Sequence, residues 1–247
     1  MNGGFVDFTL EPPLWFLVSG IFAIITIYFI KKYRKIGAEA RPFILGIIIF
    51  VGCFTIARTI ETIRRYWIGS YYDIIDSHFS ITGVNLVLRL SYYLIAWAAI
   101  TIFYFMFEKH IMKKGMNINT RYILSICSAA EGTFSCILYF TAAAQWVLYC
   151  VSGLFFVIVF FPIIFFLYLS RMAPMKGQKI AWIIVTIGFI LVLLGVMADL
   201  PETFLVVTQY MGASFFTPEL IHYGTPILQA LGAILLAIGF ARIYRNV

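Results

Sequence analysis

The residues Ile180–Ala198 read IAWIIVTIGFILVLLGVMA, with no charged side chain in the run. A helix over this stretch spans about 28 Å, close to the roughly 30 Å of a bilayer's hydrocarbon core. The apolar residues are continuous rather than alternating, which points to a helix and not to a strand of a barrel. Six further runs share this character: Leu14–Ile30, Pro42–Ile60, Leu86–Phe107, Tyr122–Thr141, Trp146–Ser170 and His222–Ile243. Thr217–Pro218–Glu219 reads as a helix start, because threonine caps, proline suits the first turn and glutamate suits the positive dipole end. The last run therefore begins near Pro218. The expectation is an all-α, polytopic membrane protein: one seven-transmembrane-helix bundle over 1-247, with spans near 14-30, 42-60, 86-107, 122-141, 146-170, 180-198 and 218-243, and no soluble domain.

Composition agrees. Of 247 residues, 62% are hydrophobic, 18% aromatic and only 12% charged. An ordinary soluble domain carries about 25% charged residues, and a disordered chain has far fewer apolar ones. Four cysteines exclude a disulfide scaffold. Cys136 and Cys150 lie on either side of a turn near Ala143, so a bond across the hairpin and two free apolar thiols are both open. Met1–Asn2–Gly3–Gly4 has no basic n-region, so the first run reads as a retained anchor.

Charge gives the direction of threading. Fourteen of the eighteen basic residues fall on one side: Lys31, Lys32, Arg34, Lys35 and Arg41; Lys109, Lys113, Lys114 and Arg121; Arg171, Lys176 and Lys179; Arg242 and Arg245. Asp7, Glu11, Asp73, Asp76, Asp199, Glu202 and Glu219 fall on the other. Lysine and arginine are retained in the cytoplasm, which places the N-terminus outside and the C-terminus inside a microbial plasma membrane. The net charge of +7 is then a property of juxtamembrane loops that favour anionic lipid headgroups, and no nucleic-acid partner is expected.

Ionisable groups at bilayer depth cost at least about 2.5–3.5 kcal/mol and should face the bundle interior or a watery cavity. Glu131 lies near the midplane, among Ser125, Ser128, Gly132, Thr133 and Ser135. Proton or cation binding and a plain interhelical hydrogen bond are both open to it. Arg58, Glu61 and Arg65 recur at i, i+3 and i+7 and share a helix face. Arg89 lies near the outer end of run three, Asp199 and Glu202 end run six, and His222 and Gln229 belong to the outer half of run seven. The sparest account is a charge network joining runs two, three, six and seven. Such a network is also a polar floor for an outward pocket. Pro162 and Pro226 should bend their helices, either as hinges or as kinks that neighbours tolerate. The aromatic outer loops Tyr66–Leu86 and Pro201–Thr217 could cover a cavity or sit at headgroup level.

Sharper chemistries find no support. His78 and His222 lie outside and His110 inside, so they cannot converge on zinc. His78 and His222 sit at the outer edge and no serine stands in a telling motif, so nothing in the sequence supports enzymatic activity, which stays open; no metal or cofactor is expected. All eight lysines lie in inside loops, which leaves no retinal Schiff base. The plan of seven spans with an exported amino end resembles seven-transmembrane receptors and sensors, at the level of architecture over the whole chain. The marks of eukaryotic G-protein-coupled receptors are missing: run three ends Met106–Phe107–Glu108–Lys109–His110 and run seven ends Gly239–Phe240–Ala241–Arg242–Ile243–Tyr244. The chain also looks like membrane-only sensor modules of prokaryotic signalling proteins. A faint repeat, Ala57–Thr62 against Ala198–Thr203, gives a 3+1+3 rhythm similar to small sugar-efflux transporters, without their proline tetrad. The resemblance implies a receptor or sensor with an outward polar pocket, signalling through short basic loops to a separate cytoplasmic partner. A small-solute or proton-coupled transporter using Glu131, and a structural subunit of a membrane complex, are the alternatives.

Overall fold

The computed structural model describes residues 10–38, 41–68, 83–110, 122–141, 145–199 and 223–243. These residues form seven α-helices and no strand: α1 (Glu11–Tyr33), α2 (Arg41–Ile63), α3 (Gly83–His110), α4 (Ile123–Thr141), α5 (Gln145–Met172), α6 (Lys176–Asp199) and α7 (Thr225–Ile243). Each expected run coincides with one helix, with the ends moved by a few residues. The second is longer than its apolar stretch and continues as a π-helical turn over Arg64–Ile68. Helices α1, α2, α3, α5, α6 and α7 are long and apolar enough to cross a membrane, which suggests membrane integration. In α4 the apolar stretch within the described side chains, Ile123–Ile137, is shorter than these six. The helix start expected at Pro218 lies outside the described residues.

Packing follows chain order. Each helix packs on the next from α1 to α7, and α7 packs back on α1, so the seven close into a ring. At one end the ring is fastened by Lys32, whose Nζ donates to the Ala241 carbonyl at 3.1 Å. A lysine there answers one of the carbonyls that a helix C-terminus leaves unbonded. The α6–α7 seam is the closest. A Cβ on Gly232 would lie 2.6 Å from the Val192 backbone nitrogen and 2.7 Å from the Gly188 carbonyl oxygen. Small residues let backbones approach where lipid supplies no hydrophobic drive between helices.

The ring is filled by aromatic side chains. Phe22, Phe29, Phe54, Phe103, Tyr104, Phe107 and Phe166 are all buried. Phe107 meets Phe165 and Phe166 at ring-centroid distances of 5.2 and 5.4 Å, and Phe43 meets Phe240 at 5.6 Å. A void of about 20 Å³ remains on this axis, lined only by apolar side chains such as Phe22, Val51, Phe103, Phe189 and Ala233. It is the size of one or two waters but offers no polar partner, so water has little reason to enter. Large apolar side chains also cover the outside, among them Ile24, Ile126, Phe156 and Ile164. That inside-and-outside apolarity is what a lipid-facing bundle needs.

Two polar contacts explain local features of the helices. Pro162 has no N–H, so the Ile158 carbonyl loses its intrahelical donor. The Tyr104 hydroxyl of α3 donates to that carbonyl at 2.9 Å. The proline is therefore accommodated by a neighbour. At the other helix pair, Glu108 of α3 caps α4: the backbone N–H groups of Leu124 and Ser125 donate to its carboxylate at 2.7 and 3.2 Å, as does the Ser125 hydroxyl. A carboxylate there answers both the unbonded N–H groups and the dipole of a helix start. Pro226 stands in the first turn of α7, directly after a π-helical turn at Tyr223 and Gly224. Its missing donor falls at a change of helical pitch, not in a regular helix interior.

Candidate functional site

The polar centre of the molecule sits at one end of α1, α2 and α3. Glu61, 2% exposed, is its hub. Arg64 donates to it twice, through Nε and Nη2, each at 2.9 Å. Arg65 Nε donates at 2.8 Å, and Arg89 Nη1 of α3 donates to the same carboxylate. The sequence places Arg64 and Arg65 three and four residues after Glu61, one turn along the helix, so both reach back to it. The π-helical turn begins at Arg64 itself. Such wide turns recur at functional sites.

Helix α1 contributes a second acid. Glu11, fully buried, accepts from Trp15 Nε1 at 3.2 Å and pairs with Arg65 at 3.8 Å. Trp15 in turn lies under the Arg58 guanidinium, 4.8 Å from the ring centroid, and Tyr92 covers Arg58 at 5.0 Å. Arg89 lies over Tyr93 at 5.0 Å. The four guanidiniums are between 1% and 6% exposed. Cations are held here by carboxylates and by ring faces, which attract them through the aromatic quadrupole. At the other end of the bundle the pattern is reversed: Lys31, Lys35, Lys109, Lys176, Lys179 and Arg242 are exposed.

Of the residues expected at the site, Arg58, Glu61, Arg65 and Arg89 are brought together. Glu131 is not with them. It shares the buried face of α4 with Ser128, Gly132 and Ser135, and that face meets α3 through a hydrogen bond from Thr101 to Ser128 at 3.0 Å. A Cβ on Gly132 would stand 2.7 Å from Trp97 Cβ, so the two helices touch there. Gln229 lies in the α6–α7 seam, its Cγ 2.6 Å from where a Cβ of Gly195 would be. The Asp199 side chain, Glu202 and His222 lie outside the described residues, as do most of the two aromatic loops. Among the described residues the network's acids are Glu61 of α2 and Glu11 of α1, so α1 joins the expected runs two and three; the acids expected on run six lie outside the described residues. Sequence reasoning missed Glu11, which reads as a helix-start acid, and Arg64, although its spacing from Glu61 is as good as that of Arg65. It also missed Glu108, whose partner is set by the α3–α4 connection.

Among the described residues no group of three His, Cys, Asp or Glu side chains could hold a metal ion. No disulfide joins Cys53, Cys127, Cys136 or Cys150 among the described residues. No family model, curated protein or solved structure matches the chain.

Proposed function

We propose that the chain is a seven-crossing receptor or sensor of the plasma membrane, with its amino end outside, that receives a polar ligand at the charged end of α1, α2 and α3. The observation that carries this reading is the Glu61-centred network, with four arginines and two glutamates at 6% exposure or less. Buried ionisable groups in a membrane chain are costly and are functional by default. The network ties three helices through contacts that depend on their relative position, so a ligand that alters one guanidinium's partners shifts all three. The exposed basic end then faces anionic headgroups and a separate cytoplasmic partner. The helix α4 supplies the seventh crossing: its serines and Glu131 point inward, and Ile126 points outward. The transporter reading draws less support, since phenyl rings fill the axis and Glu131 lies on the α3–α4 seam.

Two measurements test this. Single-cysteine labelling from outside intact cells should reach the amino end and not the carboxyl end. Mass spectrometry of the chain purified from its native membrane should find a small polar molecule that Arg89→Gln no longer retains. Labelling of the carboxyl end instead, or equal retention by Arg89→Gln, overturns the reading.

A further inference from the structure

Three of the buried polar side chains outside the charged network lie on α1 and α7. Ser19 of α1 and Thr225 and Gln229 of α7 are 8%, 0% and 0% exposed. Their Oγ, Oγ1, Oε1 and Nε2 atoms make no hydrogen bond among the described residues. An amide with two donors and an acceptor, buried and unbonded, costs far more than one that is paired, and few native groups are left so.

Helix register brings the three together. Helices α1 and α7 run in the same direction, because Lys32 meets Ala241 at one end. Twelve residues before Lys32 is Gly20, next to Ser19, and twelve before Ala241 is Gln229; both lie about 18 Å from that fastening. Thr225 is one turn further, level with Trp15. Phe22 and Ala233 line the same apolar void. Ser19 stands three residues before Phe22 and Gln229 four before Ala233, so each looks toward the same axis one turn higher. By this register Ser19 and Gln229 lie between the dry void and the arginine–glutamate network, and Thr225 stands level with the network's Trp15. Gly195 makes room for Gln229, since a Cβ there would strike Gln229 Cγ at 2.6 Å.

We propose that Ser19, Thr225 and Gln229 form the binding site for a small uncharged solute bearing hydroxyl or amide groups, with the charged network as its cover. The site rests on the reading of this end of the bundle as ligand-receiving, and it names the ligand's class. Two hydroxyls and a primary amide offer donors and acceptors in balance and no net charge. In the cover, carboxylates and guanidiniums already bond one another around Glu61. An ion at this depth would bring a desolvation cost that neutral partners cannot offset. The near-complete burial makes this the closed form, in which a solute is enclosed by helices α1, α6 and α7.

The test uses the full chain in detergent micelles, with acetamide and glycerol as neutral probes and lactate as the charged one, read by saturation-transfer NMR. At least one neutral probe should bind the wild type, and Gln229→Leu and Thr225→Val should weaken it about tenfold or more. Ser19→Ala, the mildest change and on a different helix, should weaken it about threefold. Without probe, Gln229→Leu and Thr225→Val should melt no lower than wild type, since each removes a polar group that has no bond to lose. Binding of lactate alone, no binding of either neutral probe, equal binding by the variants, or a lower melting point for both α7 variants overturns the proposal. None of these readouts depends on signalling or on terminus orientation, so the site and the receptor reading fail separately.

Discussion

Replacing Glu61 by glutamine removes one negative charge and leaves three guanidiniums around it. In the wild type, Arg64 and Arg65 hold that carboxylate through nitrogen–oxygen distances of 2.8–2.9 Å, and Arg89 shares it. At an effective dielectric of about 20, one charge pair near 4 Å is worth about 4 kcal/mol. Three such attractions do not simply add, because the arginines repel one another and all the groups have left water. Breaking a buried ion pair from one side typically costs about 3–5 kcal/mol, since the partner charge is left uncompensated. For a chain of this size that corresponds to a melting temperature lower by roughly 6–20 °C. The assay is thermal unfolding of the purified chain in a mild detergent, followed by circular dichroism. Arg89→Met in the same background should recover about 1 kcal/mol or more, because it removes one of the stranded charges. A Glu61→Gln melting point within about 2 °C of wild type would refute the reasoning, and so would strict additivity of the two substitutions.

Other perturbations probe the rest of the bundle. Tyr104→Phe should cost about 1–3 kcal/mol, because it strands the Ile158 carbonyl that Pro162 leaves without a donor; in a Pro162→Ala background the same change should be nearly silent in thermal unfolding. Gly232→Ala should destabilise by about 1–3 kcal/mol, since the new Cβ would meet backbone atoms of Val192 and Gly188 that cannot rotate away; a melting point unchanged by this methyl group would contradict the close α6–α7 seam. Glu108→Ala should cost about 0.5–2 kcal/mol and speed hydrogen exchange at the Leu124 and Ser125 amides, which lose their acceptor.

The seven helices could be read from the chain because each is an uninterrupted apolar run, and lipid leaves such a run no other way to bond its backbone. Part of the site was legible for a related reason. Arg58, Glu61 and Arg65 recur at helical spacing, so their shared face follows from the period of the helix alone. Glu11 was not legible as a partner of Arg65, since fifty-four residues and two helices separate them in sequence. Nor was the answer to Pro162: its lost hydrogen bond is implied by the residue type, but the Tyr104 hydroxyl that replaces it comes from another helix.

Local periodicity and hydropathy therefore determined where helices form and which residues avoid lipid. The tertiary structure decided which guanidinium meets which carboxylate, that α7 closes the ring on α1, and that Ser19, Thr225 and Gln229 are buried with polar atoms left unbonded among the described residues. Those outcomes depend on the rotation and offset of one helix against another. Such offsets are set by many weak contacts, like the glycine seam of α6 and α7, that leave no period in the sequence.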